Sequence, residues 1–557
     1  MHLLRKLDGQ RGAWLIACIA SVLSARSLTL GLVADDHWHH VTARLDHRPF
    51  GLFYTSPEFV ATGRANGSFA WWSSPSFSLR FFRPLCSLWH AVEYQLWPDA
   101  PWAMHLTNIV LYVLLVVVVL QLYRELLPEH SRLAALAALM FAIDDGHAPS
   151  VGCIAGRNTL LAALLGMTAL FLHVRWRARF ARFARFASPA CLALALCSAE
   201  AALGIGAYFA AYVLVYESGT TWQRLCSVGP QLAVFALWAL VYVALGCGAH
   251  NVIFYRDLGQ PLSLLANGSG DIGIWLSSLF GFSTVSPLML LPTLPTRIGF
   301  ALLSVPLLAA LWLAVPRTRA NHFFACGALL SLPALFTVQP QERLLIQASF
   351  GAFGLIASLI LAVPRQAGRF LRVMRGIMIV LHLALAPLFF LVSLEQIGSL
   401  DANVSALVAL LPSKPPSQVI LVNTPVELQG FYARYMLREA GHALPRSMHQ
   451  LYSGSSKLLL ERIDATTLEV RAVDGWGHRP LERIFAGSSD LPGPGSELAV
   501  ADMRVSVLEA NDEGNPTRAQ FRFATPLEAQ DRLWIIWQGW MPTLWRPPAI
   551  GSTSETL

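Results

Sequence analysis

Apolar runs of membrane length recur along this chain, separated by short clusters of arginine, and that alternation constrains the fold more than any motif does. The first run, 13–33, meets the roughly 20 apolar residues that a helix needs to cross a hydrocarbon core about 30 Å thick. Of 557 residues, 55% are hydrophobic and only 13% are charged. That leaves too little polar surface for a soluble enzyme of this length. The expected fold is an α-helical polytopic membrane protein. The formal net charge of +7 resides mainly between apolar runs, where it orients helices. Nucleic acid is therefore not an expected partner, whereas membrane lipids are.

Arg5, Lys6 and Arg11 put the N-terminus in the cytoplasm and read as the flank of a retained signal anchor, so Asp35 and Asp36 emerge on the opposite side. Residues 34–101 form a large outer loop. Its stretch at 69–88, rich in Trp, Phe, Pro and Ser, is expected to lie at the membrane interface. Further crossings follow, with the arginine block Arg175 to Arg185 as the surest cytoplasmic marker and 272–291 read as re-entrant or interfacial. The count reaches about eleven crossings within a membrane domain at 1–397. From 398 to 557 the composition becomes that of a small, soluble α/β domain on the same side as Asp35, with strands at 418–422 and 498–508 and a helix at 425–441. It holds no catalytic motif and is expected to bind an acceptor or to shield a site. Lysine occurs only at Lys6, Lys414 and Lys457, the codon bias of a GC-rich bacterial genome. The expected location is a bacterial inner membrane, with the site on the periplasmic face.

Charges near membrane depth cost roughly 2.5–3.5 kcal/mol each on insertion scales, so they are paired, solvated or functional. The topology gathers Asp35, Asp36, Arg83, His105, Asn108, Asp144, Asp145, His147, Arg157, Glu200, Glu342 and Arg343 at one membrane face. His37, His39 and His40, beside the acidic pair, also read as a candidate metal cluster, although no cysteine or second histidine group completes it. The eight cysteines show no paired spacing and none lies beyond Cys326, so the C-terminal region is not a disulfide scaffold.

Several of these residues stand in an order that resembles a known family. After the acidic pair come Phe82-Arg-Pro-Leu85, His105-x-x-Asn108, Phe141 with His147-x-Pro149, and Gly156-Arg-Asn-Thr-Leu-Leu161, then Ser198-x-Glu200 and Glu342-Arg343. The order resembles that of the C-type (GT-C) glycosyltransferases, in particular the branch containing tetratricopeptide-bearing and protein O-mannosyltransferases. The resemblance covers about 31–351. It implies transfer of a sugar from a polyprenyl-phosphate donor on the extracytoplasmic side, with a first-loop carboxylate as catalytic base. That role falls on Asp35 or Asp36; adjacent side chains diverge, so only one reaches the acceptor hydroxyl, and Asp36 is the expected base with Asp35 orienting it or a neighbouring arginine. The resemblance makes Arg343 the donor-phosphate ligand and requires no cofactor.

Other roles stay open at the level of sequence. Arg83 and Arg157 either grip phosphate or brace the fold through carboxylates, and Glu200 is either a substrate ligand or the partner of Arg157. His105 and Asn108, one helical turn apart, either line the site or cross-link helices. The acceptor is a protein, a lipid or an envelope glycan, and the transfer is expected to invert the anomeric centre. One alternative is a polymer ligase using a diphosphate-linked glycan. Another is a secondary transporter, which would place its ionisable residues near the midplane and show repeats; no internal repeat is visible.

Overall fold

A computed structural model describes residues 9–179, 181–281, 293–364, 366–487 and 491–556. Arg5, Lys6, Arg365 and the part of 272–291 beyond 281 lie outside the described residues. Two compact units interleave along the sequence. The first comprises Met1–Val33, Phe81–Cys247 and Leu258–Gly398, and the second Ala34–Arg80, Gly248–Asp257 and Ser399–Leu557.

The first unit is helical. Among the described residues, six helices are long and apolar enough to span a bilayer: Gly9–Thr29, Pro101–Leu126, Arg157–Arg179, Leu294–Ala314, Arg319–Thr337 and Arg369–Leu410, the last running on past the unit's end. A seventh arises if the bent pair Thr221–Ser227 and Gly229–Ala244 counts as one span. The chain is thus a multi-pass membrane protein. Three shorter apolar helices, Ser131–Ile143, Glu200–Val215 and Ala348–Ala362, bring the apolar helices among the described residues to nine or ten, against an expectation of about eleven crossings.

Pro101 begins its helix at the first turn, where a missing N–H costs nothing. Helix Ala348–Ala362 is buried along nearly its whole length. It approaches its neighbour closely at Gly351, where an added Cβ would collide with the Phe324 carbonyl oxygen. Such contact between backbones is how small residues pack helices where hydrophobic driving force is weak. Tyr208 caps the junction by donating to Gln347 O at 2.8 Å.

The second unit carries two larger sheets beside the two-stranded antiparallel pair of Ser78–Arg80 and Gly248–His250. In the four-stranded sheet, Gln418–Thr424 lies between Arg532–Gln538 and Ser447–Ser453, parallel to both, with Met541–Trp545 antiparallel at one edge. Helix Leu428–Glu439 makes the crossover that a parallel pair requires. The other sheet has six antiparallel strands in the order Thr553–Glu555, Leu458–Arg462, Thr467–Ala472, Pro516–Phe523, Met503–Ala510 and Glu497–Val500.

Two expectations change here. The run 498–508 is a hairpin rather than one strand, because the chain reverses at Ala501, which has a φ of 50°. The aromatic stretch near residue 70 is in the core of this unit rather than at a membrane interface. Trp71 and Trp72 are 1% and 2% exposed, and their indole N–H groups donate to Leu451 O at 3.1 Å and Glu482 O at 2.8 Å. A buried tryptophan needs that partner for its N–H, and the backbone provides it.

Candidate functional site

The acidic pair lies in the second unit. Ala34, at φ 52° and ψ −116°, turns the chain into the short helix Asp35–His40. An alanine in that region is strained, and its N–H is held by Asp401 Oδ2 at 2.9 Å. Asp35 is exposed, while Asp36 is fully buried. The phenol of Tyr432 donates to Asp35 Oδ1 at 2.7 Å. Burial first, then the Asp35 charge, pushes the Tyr432 hydroxyl well above its ordinary pKa, so it stays a donor.

Behind this pair is a histidine–carboxylate network. His37 Nε2 is 3.0 Å from Asp401 Oδ2, its Nδ1 bonds Glu439 Oε2, and His40 Nδ1 is 2.7 Å from Glu439 Oε1. Burial alone would depress the His37 imidazole, but hydrogen bonds and charge from Asp401 and Glu439 outweigh it and raise the pKa to about 10. His37 is therefore an imidazolium at neutral pH. Burial would raise Glu439, yet its bonds to His37 and His40 hold it below the usual range. Trp38 stacks on Phe59 at 6.3 Å and meets Phe431 edge-on at 5.8 Å, which fixes the helix on its aromatic face. Among the described residues no three His, Cys, Asp or Glu side chains converge as a metal site. His37 and His40 turn their Nδ1 atoms to Glu439 instead.

The remaining predicted residues lie in the first unit. Arg157 is fully buried, and all three of its nitrogens are engaged: Nε with Asn108 Oδ1 at 2.7 Å, Nη1 with Glu93, and Nη2 with Met104 O at 2.8 Å. Asn108 in turn donates to Cys153 O at 2.9 Å. Arg83 pairs with Glu200 at 2.7 Å, so the partner of Glu200 is Arg83 and that of Arg157 is Glu93. His105 Nε2 is 2.7 Å from Gly31 O. His105 and Asn108 thus tie their helix to neighbouring backbone.

The turn Asp145–His147 and the segment Glu342–Ile346 meet. A Cβ on Gly146 would stand 3.6 Å from the Glu342 Cβ. His147 is buried between Phe141 O at 3.0 Å, Ser349 Oγ at 3.2 Å and Asp144 Oδ2 at 3.4 Å. Arg343 is half-buried, its Nε directed to Gln341 Oε1 at 2.9 Å. The network residues Tyr432, Glu439 and Asp401, and the Arg157 partner Glu93, were not legible as site residues. One signal was present: Tyr432 and Glu439 are seven apart in a predicted helix, hence on one face.

No family model matches the chain. It is 30% identical over 168 residues to protein O-mannosyl-transferase TMTC1 of Homo sapiens, covering 29% of this chain and 18% of that protein. It is 29% identical over 163 residues to protein O-mannosyl-transferase TMTC3 of Mus musculus, covering 29% and 17%. The chain thus spans less than a fifth of the length of these relatives. Among solved structures, ArnT from Cupriavidus metallidurans bound to undecaprenyl phosphate gives a TM-score of 0.41 at 16% identity, over 80% of this chain and 90% of ArnT. Its apo state gives 0.40 at 15%, over 80% and 86%. Over part of its length the chain is therefore similar to the protein O-mannosyl-transferases, the branch of the GT-C enzymes that its ordered motifs resemble.

Proposed function

We propose that the chain is an integral-membrane glycosyltransferase that moves a hexosyl or pentosyl group from a polyprenyl-phosphate donor to an extracytoplasmic protein, lipid or glycan hydroxyl, with inversion. The observation that carries this reading is the acidic pair directly after the first membrane-spanning helix, with Asp35 exposed and held by Tyr432. The similarity to protein O-mannosyl-transferases supports the reaction class. The arginine distribution supports an extracytoplasmic position for 34–101, and the short apolar helices bring the candidate crossings among the described residues to nine or ten.

In the proposed reaction one carboxylate of the pair removes the acceptor hydroxyl proton, a general-base contribution of about 10²–10⁴-fold. The acceptor oxygen bonds to the anomeric carbon as the carbon–oxygen bond to phosphate breaks, and the polyprenyl phosphate departs with the electron pair. The sequence assigns the base to Asp36. Exposure of Asp35 and burial of Asp36 favour the reverse division, with Asp35 as base and Asp36 as support, and that is the assignment adopted. Arg343 is the phosphate ligand by resemblance, whereas Arg157, saturated by Glu93, Asn108 and Met104, serves as a brace.

The test is transfer of labelled sugar from a panel of polyprenyl-phosphate sugars by membranes containing wild type, Asp35→Asn or Asp36→Asn at equal protein. Collapse in Asp35→Asn with a smaller loss in Asp36→Asn is expected. Full activity in both variants would sink the carboxylate mechanism.

A further inference from the structure

A cavity of about 1930 Å³ runs inside the first unit along helix Ser131–Ile143. Arg132, Leu136, Leu139 and Ile143 line it and, at spacings of four, three and four, share one helix face. Leu15 and Ile19 of the first span supply a second apolar stripe, and Ile379 and Leu383 a third. Polar lining comes from residues within 128–132 and 316–321, from Glu125, Tyr212, Tyr216 and Ser358, and from Arg375, whose Nη1 donates to Val363 O at 3.1 Å. The segments 128–132 and 316–321 join spans on the arginine-rich side of the bundle, which also contains Arg175 and Arg179.

We propose that this cavity is a binding slot for an anionic phospholipid, with its headgroup phosphate on Arg132, Arg319 and Arg375 and one acyl chain along Leu136, Leu139 and Ile143. Size excludes a small polar metabolite as the natural fit, since the volume is about twice the upper end of ordinary small-molecule pockets of roughly 300–1,000 Å³. Exposure divides the lining: Arg132 and Arg319 are exposed and Arg375 is half-buried, which marks the mouth, whereas Leu136 and Ile143 are buried. The carboxylate of Glu125, also at the mouth, is answered by Arg179 at 2.9 Å and Arg175 at 3.6 Å. Even with Glu129 counted, the mouth is net positive. Basic pockets between spans on this side of a membrane suit anionic headgroups.

Length agrees as well. Thirteen helical residues rise about 20 Å, and one leaflet of a hydrocarbon core about 30 Å thick is roughly 15 Å deep. The stripe therefore takes a chain that spans a single leaflet. A free phosphate would satisfy the arginines but leave the apolar walls without an occupant. The inference does not depend on the transferase reading, because none of the residues invoked there lines the slot.

The experiment is native mass spectrometry of the full chain after detergent washing, titrated in parallel with phosphatidylglycerol, phosphatidylcholine, a polyprenyl phosphate and inorganic phosphate. One phosphatidylglycerol per chain is expected to be retained in preference to the other three. Arg319→Gln combined with Arg375→Gln is expected to weaken it at least tenfold. Leu139→Trp, which fills the slot and leaves the arginines intact, is expected to do the same. Thermal unfolding adds an independent readout: phosphatidylglycerol should raise the wild-type midpoint and leave that of Leu139→Trp unmoved. Equal retention of phosphatidylcholine, preference for the polyprenyl phosphate or for phosphate alone, or undiminished binding in both variants would overturn the proposal.

Discussion

The phenol of Tyr432 donates to Asp35 Oδ1 at 2.7 Å across 397 residues of chain. A hydrogen bond to one carboxylate oxygen leaves the other to face an acceptor and fixes the rotamer from which it does so. Because a hydrogen bond to a charged group is worth about 1.5–3 kcal/mol, Tyr432→Phe is expected to lower the transfer rate roughly tenfold or more. The loss should fall on kcat rather than on the KM for donor. An unchanged kcat in Tyr432→Phe would remove Tyr432 from the mechanism.

The His37 network sets a pH window for the second unit. His37, raised to about 10, contributes stability that is complete below its ordinary value of about 6.5 and is lost as pH rises toward 10. Glu439 is held low, so its contribution is present above the ordinary glutamate value and is lost as pH falls through its folded pKa. Thermal unfolding followed by tryptophan fluorescence should show an alkaline decline between about pH 6.5 and 10 that His37→Gln removes. An identical alkaline limb in His37→Gln would show that the imidazolium is not its source.

Glu427 gives the opposite kind of test, since a carboxylate is raised rather than lowered. Burial lifts it to about 7 despite hydrogen bonds from Ser73 Oγ and the Phe485 N–H. Between its unfolded and folded values the folded state holds the extra proton, so stability falls as pH rises from about 4.5 to 7. That loss is on the order of 3 kcal/mol. Glu427→Gln keeps an oxygen acceptor for Ser73 and should flatten this slope; a slope that persists would assign it to another group.

Arg157 and Arg83 should behave differently although both pair with glutamate. Removing one partner of the fully buried pair, by Glu93→Gln or Arg157→Gln, is expected to cost about 3–5 kcal/mol. Glu93→Leu combined with Arg157→Met should recover part of it. The Arg83–Glu200 pair is more exposed, at 13% and 20%, and Arg83→Gln should cost about 1 kcal/mol. Unfolding midpoints of purified variants decide this, and a double variant worse than either single change would contradict bracing by the pair.

The membrane helices were legible because apolar length and arginine position act locally; the run 13–33 overlaps most of the helix Gly9–Thr29. Pairings were not. Glu200 lies nearer to Arg157 in sequence but pairs with Arg83, because which carboxylate meets which guanidinium is set by helix packing. Glu93 went unnoticed inside a helix whose other residues suit an interface. Trp71 and Trp72 misled for a related reason: amphipathic indoles suit a headgroup layer and a protein core equally. Only the two larger sheets, formed hundreds of residues later, distinguish the alternatives. The pair Asp35–Asp36 was legible by position, but Tyr432 was not, since a tyrosine on a helix face gives no sign of the carboxylate it will reach.

The core of the second unit has a consequence for how the chain is made. Trp71 waits for the carbonyl of Leu451, 380 residues further on, which at about 5–20 residues per second is roughly 20–80 s of synthesis. Through that interval an aromatic-rich segment has emerged while its partner strands do not yet exist. A chaperone or the bilayer surface must shelter it meanwhile. A fragment begun at residue 399 would lack both indoles and leave a hole of their size between its strands.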